Sequence, residues 1–506
     1  MNADKRMKLL FLQLPRLDHD AHGRQENVPL AAVYLRHALE QSAEGRFHRV
    51  VSIQDADQLD DRHLLAAIKR IEPDVVAATL YLWNIERTLD LLRRARRLRP
   101  GLKIVAGGPE VAAGHPFLFR NRMIDVAVSG EGETVFPEIL GAFRTGRRFV
   151  RIARPSACDL RACLPPPSYP SHRPDADGMA YLETTRGCPL RCSYCCYGHR
   201  RHAVSFLTVD EVLARVRVLL RRGAREIRFI DPMFNANPDF QDIVAALAKL
   251  NRSRRLEFFA ELQADRISSD DARALSAANF REIEVGVQSR NPETLRRIHR
   301  PTRLNELDQG IRRLARAGIL VTVDLMIGLP GQDLREIRQM LNWAAKLRGV
   351  RVQCLQTLLL PGTELQQDRK RLGLMGLEQP PYTVQATGTL SAEELRRAET
   401  MAQRKLGIRV DCPTARFAGR NLPDLFPTSQ THRVLSFEGG NLFARRHSIA
   451  ARIRQAVSDE PHIHWQFILR PDAEEPLDLL DLLIAELNRF PALVSDRFLD
   501  MHSPGR

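Results

Sequence analysis

Thr184-Thr-Arg-Gly-Cys188-Pro-Leu-Arg-Cys192-Ser-Tyr194-Cys195-Cys196 sets three cysteines in a Cys-x3-Cys-x2-Cys loop, and the rest of the chain is read outward from it. Thiolates are the usual ligands of iron–sulfur clusters, and four of them close the coordination. Three from one compact loop suggest a four-iron, four-sulfur cluster with one iron left open to a small chelating molecule. Zinc is the alternative. Structural zinc sites pair two ligand-bearing halves some distance apart, and no second half follows downstream, although Cys196 or His199 would close a local site.

Before the loop, residues 8 to about 145 alternate short apolar runs with amphipathic helical stretches, the pattern of a doubly wound parallel sheet. Strands are predicted at 8–14, 49–54, 75–81, 103–107 and 126–129, with helices near 30–41, 62–70, 85–98 and 135–145. Five strands with intervening helices make a flavodoxin-like (Rossmann-type) domain over 1–145, whose ligands bind at the strand carboxyl ends. Gly107-Gly108-Pro-Glu and Gly130-Glu-Gly132-Glu fall at two of those ends, where glycine lets backbone approach a ligand. The segment 146–180 is rich in Pro, Arg and Ser and shows no sustained periodicity, which predicts a linker or a wrapping segment.

The cysteine loop follows a strand at 179–184 and opens a second βα alternation over 181–390. Further strands are predicted at 226–230, 257–262, 282–287, 320–327 and 351–358. Six strands separated by helices imply an open (β/α)6 partial barrel with its reactive loops gathered at the strand carboxyl ends. Glu261 and Gln288 fall at two of these ends, and a buried polar side chain facing the lumen needs a polar partner. Residues 391–506 repeat neither pattern. They open on Ser391-Ala-Glu-Glu394, a capping box, and continue with an apolar strand from Trp465 and an acidic amphipathic helix near 476–487, predicting a small α+β extension.

The chain of 506 residues is long enough for two or three domains, and 44% apolar content supports globular folding. No run approaches the roughly 18 to 20 apolar residues that span a bilayer, and the first apolar run reads as a strand rather than a signal peptide. Eight cysteines, four of them in one loop, are unlike a disulfide framework and fit a reducing cytoplasm. The net charge of +15 raises nucleic acid as a partner. Its arginines are scattered along helical segments instead of forming a stripe, and no aromatic RNA-stacking motif accompanies them, which argues against a nucleic-acid module.

With Tyr194 just before its last cysteine, the loop resembles the signature of the radical S-adenosylmethionine (SAM) superfamily. The resemblance implies that Cys188, Cys192 and Cys195 hold the cluster and that the methionine amine and carboxylate of SAM chelate the open iron. One electron from the cluster then cleaves the sulfonium to a 5'-deoxyadenosyl radical, with a flavodoxin or ferredoxin as electron donor. Asp231-Pro232-Met-Phe-Asn stands where the family carries Gly-Gly-Glu, departing from that motif. Glu261, Gln288 and Gly328, the last in Gly328-Leu-Pro-Gly331, match positions that contact other parts of SAM.

The two glycine turns, taken in order with Thr79-Leu-Tyr-Leu-Trp83-Asn, resemble the cobalamin-binding domain that precedes the radical domain in one large subgroup of methyltransferases. Gly107, Gly108, Gly130, Gly132 and Trp83 are then cobalamin contacts. Asp18-His-Asp-Ala-His22-Gly lacks the Asp-x-His-x-x-Gly spacing that delivers a histidine to cobalt, so no histidine ligand is expected there, and the loop around Trp83 is expected near the lower corrin face. The resemblance implies methyl transfer to an unactivated carbon of a small molecule or peptide. Rearrangement, cyclisation or transfer of another SAM fragment is the alternative.

Overall fold

The computed structural model describes residues 6–15 and 27–411, with short interruptions at 55, 60, 113–114, 116–117, 119–122, 176, 198–202, 379, 381 and 409, then 417–419, 432–438, 442–459, 464–470 and 497–501. The expected helix at 476–487 and the residues Asp18 to Gly23 lie outside this range.

The first domain is a parallel sheet of β1 (Met7–Leu12), β2 (His48–Val51), β3 (Val75–Thr79), β4 (Lys103–Gly107), β5 (Val126–Val128) and β6 (Ile152–Ala153), ordered β2-β1-β3-β4-β5-β6. Alternation along its strands divides the apolar residues between two cores. Leu10, Leu12, Val76, Ala78, Ile104 and Ala106 face one side, and Leu9, Val75, Ala77, Val105 and Val126 face the other. Burial on both faces is what a parallel sheet covered by crossover helices requires. The predicted five strands are joined by a sixth from the supposed linker, since Ala127 and Val128 pair with Ile152 and Ala153. The same segment carries a Cys158–Cys163 disulfide.

β7 (Met179–Leu182) starts the second sheet, and a short antiparallel pair, β8 (Thr185–Arg186) and β9 (Ser205–Phe206), brackets the cysteine loop. β10 (Glu226–Phe229), β11 (Glu257–Glu261), β12 (Phe280–Gln288), β13 (Leu320–Ile327) and β14 (Val350–Gln356) continue the parallel sheet in chain order. After the small β15 (Met375–Gly376) and β16 (Val384–Ala386) hairpin comes β17 (Val410–Asp411), which adds a seventh strand beside β14. The predicted six-stranded open barrel is therefore extended by one short edge strand from beyond residue 390. A single large apolar core lies between this sheet and its outer helices.

The Ser391 hydroxyl caps the helix Ala392–Leu406 with Glu394 closing the capping box. Beyond it, β18 (Phe417–Gly419), β19 (His432–Glu438), β20 (His464–Arg470) and β21 (Arg497–Met501) form a parallel sheet. With the helix Arg446–Asp459, this bears out an extension of mixed character. Among the described residues no helix is long and apolar enough to cross a membrane.

Candidate cofactor site

The cysteine loop is braced from below. Asp231, fully buried after β10, accepts hydrogen bonds from the Thr184 amide (2.7 Å), the Thr185 amide (2.9 Å) and the Thr184 hydroxyl. Burial pushes its carboxyl up to about 7 against these hydrogen bonds. Asp231 thus grips the root of the loop, and half-buried Pro232 continues the turn. The loop is also tied laterally, Ser193 N–H donating to the Ile298 carbonyl (3.0 Å) and Leu365 N–H to the Ser193 carbonyl (2.8 Å).

Cys192 is buried, while Cys188 and Cys195 are half-buried. Burial raises both half-buried thiols, Cys195 up to about 12, and in each case a neighbouring cysteine of the loop adds to the rise. Cysteines of one loop near enough to raise the Cys188 and Cys195 thiols are placed to share a cluster, whose binding would displace those protons. Tyr194 packs its ring on Leu295, Ile298, Met326 and Leu329.

Arg300 completes the surroundings of the loop. Its guanidinium donates to Cys192 Sγ (3.7 Å), to the Tyr194 hydroxyl (3.2 Å) and to the Gly286 carbonyl (2.5 Å). A Cβ on Gly286 would press on both the Arg300 guanidinium and the Gln288 amide, so a side chain here would displace one or both of them. Gln288 has φ +64° and is buried, with its Oε1 lacking a protein partner. A buried acceptor without a protein partner is open to a donor from a ligand or a water. No spacing rule picks out Arg300, which lies 108 residues from Cys192.

The lumen below carries carboxyl groups on adjacent strands: Glu261, Glu284 and Asp324. Solvent reaches Glu261 through the open mouth, yet enclosure by protein and then the nearby Glu284 push its carboxyl up to about 8. Burial likewise raises Glu284 and Asp324, and the Gln353 amide bridges the pair at 3.3 and 2.6 Å. Gly328 starts a turn held by Gln332, whose Oε1 accepts from Gly328 N–H (3.0 Å) and whose amide donates to the Met326 carbonyl (3.1 Å).

The first domain brings its carboxyl edge to the same place. Gly108, at φ +103°, lies so close to the Leu80 carbonyl that a Cβ would stand 2.6 Å from it, whereas a Cβ on Gly107 would meet nothing within 4 Å. Trp83 stacks on Tyr81 (4.4 Å between centroids, 8° between planes) and keeps 37% of its surface exposed. Asn84 holds this loop by accepting from Tyr81 N–H and donating to the Leu14 carbonyl. Gly130 and Gly132 lie in the turn after β5, whose Glu131 and Glu133 both accept from Arg186 (3.3 and 2.8 Å). Arg186 also forks onto Glu183 at 2.9 Å twice, so one arginine at the root of the cysteine loop fastens the glycine turn to it. Tyr197, just past the cysteines and 58% exposed, is held above the usual phenol range by surrounding protein and then by Glu261, Tyr81 and Cys195.

The family model of the radical SAM superfamily matches residues 182–344, and that of the B12-binding domain matches residues 21–140. The chain belongs to the radical SAM superfamily and carries a B12-binding domain ahead of its radical domain. An uncharacterized methyltransferase of Pyrococcus horikoshii is 24% identical over 61% of this radical SAM protein and 72% of the relative. The cobalamin-dependent radical SAM methyltransferase TokK of Streptomyces tokunonensis is 26% identical over 53% of the chain. The chain spans only 44% of TokK's length. The structure of the radical SAM methyltransferase TsrM of Kitasatospora setae superposes with a TM-score of 0.57 at 18% identity, covering 73% of this chain and 78% of that one, which shows a shared fold. The cofactors of this radical SAM enzyme are a [4Fe–4S] cluster, SAM and cobalamin.

Proposed function

We propose that the protein is a cobalamin-dependent radical SAM methyltransferase acting on an unactivated carbon of a small molecule or peptide, in the cytoplasm, with a flavodoxin or ferredoxin as electron donor. The observation that carries this reading is the Arg186 junction, which fastens the Gly130–Glu133 turn of the B12-binding domain to the root of the cysteine loop. The two cofactor edges thereby face one space. When bound, the cluster with SAM would supply radical chemistry and the corrin a transferable methyl group.

In this reading the domains run 1–145, 146–180, 181–390 and 391–506, with Ile152–Ala153 and Val410–Asp411 each adding an edge strand to the sheet before it. Cys188, Cys192 and Cys195 would hold the cluster through their thiolates, and Arg300, which donates to Cys192 Sγ, would offset part of its negative charge. Asp231 and Pro232 hold the loop's root, and Tyr194 and Gly328 shape the walls. Gln288 offers its unpartnered amide oxygen to SAM. Glu261, with its raised pKa, accepts or holds a proton at a cationic group of the ligand. Gly107, Gly108, Gly130 and Gly132 would let backbone approach the corrin, and the exposed Trp83 would pack against it. Closure of the lumen by substrate excludes water, which protects a carbon radical from side reactions.

Anaerobic turnover of the reconstituted protein with mass spectrometry tests the reading. Deoxyadenosine and S-adenosylhomocysteine rising together with a product 14 mass units heavier supports it. Deoxyadenosine without S-adenosylhomocysteine, and with activity indifferent to cobalamin, would replace methylation by rearrangement or cyclisation.

A further inference from the structure

Three polar side chains meet in the buried seam between the B12-binding domain and the radical domain, away from the cysteine loop. The Tyr382 hydroxyl lies 2.7 Å from Glu110 Oε2 and 2.8 Å from His115 Nε2, and His115 Nε2 lies 3.4 Å from the same carboxylate oxygen. All three residues are at most 3% exposed. Tyr382 comes from the segment before β16, 272 residues from Glu110, and adopts φ +60°, which bulky L residues seldom tolerate. Its backbone is pinned in that conformation, its carbonyl accepting from Leu359 N–H at 2.8 Å.

Glu110 is part of the glycine turn itself. Its amide donates to the Leu80 carbonyl (3.1 Å), Leu80 N–H donates to the Gly107 carbonyl (2.8 Å), and Val111 N–H to the Gly108 carbonyl (3.0 Å). The Gly107–Gly108 turn and the loop bearing Tyr81 and Trp83 are therefore hydrogen-bonded to each other, and the radical domain's Tyr382 holds that turn through the Glu110 side chain. Ala112 packs against Gly362 at the same seam.

We infer that Tyr382 is a positioning residue for cobalamin: by holding Glu110 and His115 from across the domain boundary, it sets the Gly107–Trp83 edge at the depth and angle at which the corrin meets the radical site. Tyr382 touches no reacting atom in this scheme, and no proton needs to move through the triad. The inference rests on the corrin seating at that edge, as proposed above.

The test is a hydroxocobalamin titration of the full-length, cluster-reconstituted protein, followed by its visible spectrum, for wild type, Tyr382→Phe, Glu110→Gln and the double variant. Tyr382→Phe removes one hydroxyl from two buried partners and is expected to weaken cobalamin binding about tenfold, near the upper end of the net worth of one ordinary hydrogen bond, with iron content and SAM binding unchanged. The double variant should bind within about threefold of the weaker single variant, because both break one clamp. Tyr169→Phe serves as the control: its hydroxyl also ties distant segments, donating to Glu40 at 2.7 Å, but away from the glycine turn, and its cobalamin affinity should equal wild type. Unchanged affinity in Tyr382→Phe, independent losses in the double variant, or an equal loss in Tyr169→Phe would each overturn the clamp. Should Tyr382→Phe not fold, Glu110→Gln against Tyr169→Phe decides the matter in the same way. A wild-type protein that binds no cobalamin would overturn the corrin reading and the clamp with it, whereas cobalamin binding indifferent to Tyr382 overturns the clamp alone.

Discussion

Replacing Arg300 by Gln should lower the reduction potential of the cluster while leaving the cluster in place. The guanidinium donates to Cys192 Sγ at 3.7 Å, and the reduced cluster carries one more negative charge than the oxidised one, so a fixed cation beside a ligand sulfur favours reduction. With the added electron spread over the cluster at about 6 Å and an effective dielectric near 20, the attraction is about 3 kcal/mol. That corresponds to about 120 mV for a one-electron couple, and to about 60 mV if solvent at the open mouth doubles the dielectric. Gln keeps most of the side-chain volume, so Tyr194 and Gly286 lose a hydrogen bond each without a cavity opening. The assay is a redox titration of anaerobically reconstituted protein followed by electron paramagnetic resonance, with iron and sulfide content measured alongside. A potential 60–120 mV more negative at full iron content is expected. An unchanged or more positive potential would refute the reasoning and place Arg300 among purely structural contacts.

Cys188→Ala, Cys192→Ala or Cys195→Ala should each abolish the cluster's visible absorbance, while Cys196→Ala should retain it; loss on Cys196→Ala with full retention in Cys188→Ala would reverse the ligand assignment. Gly286→Ala forces a methyl group into the Gln288 amide and Arg300, and overpacking of this kind costs about 1–3 kcal/mol; urea denaturation should show that loss together with weaker SAM binding, and wild-type values for both would show that the pair moves aside freely. Asp231 has a folded-state pKa raised to about 7 above its ordinary 3.8, so the folded chain holds a proton that the unfolded chain has released between those values. Its contribution is complete below about pH 4 and is lost as pH rises toward 7, up to about 4 kcal/mol at 1.36 per unit. Asp231→Asn should flatten that part of the stability–pH curve measured on the cluster-free protein, and an unaltered slope would show that another group titrates there.

Much of the fold was legible because parallel strands buried on both faces and amphipathic helices impose strong periods. The helices at Leu30–Gln41 and Ile85–Leu98 and the strand Leu320–Ile327 fall on the predicted residues. Among the strands of the two main sheets, the edge strands Ile152–Ala153 and Val410–Asp411 were not legible. Two residues carry no period, and these become strands only because an open sheet edge offers hydrogen bonds to whatever chain passes it. Their sequence does not announce that edge.

The site divides along the same line. Ligands that act through local spacing, the three cysteines and the glycine turns, declare themselves in the chain because one loop must present them together. The side chains that hold those loops act across 108 residues for Arg300 and Cys192, 53 for Arg186 and Glu133, and 272 for Tyr382 and Glu110. A chain with 76 basic residues hides two such arginines among many solvated ones, and only the fold distinguishes them. Arg186 illustrates the point most sharply, since it sits inside the signature stretch yet is read there as one more charge. Its function depends on Glu131 and Glu133 arriving from another domain, and without them the guanidinium would be a buried cation paired with Glu183 alone. The tie between the radical and cobalamin domains is therefore a property of tertiary structure: the motifs specify which cofactors the chain holds, and a few long-range polar contacts specify how they face each other.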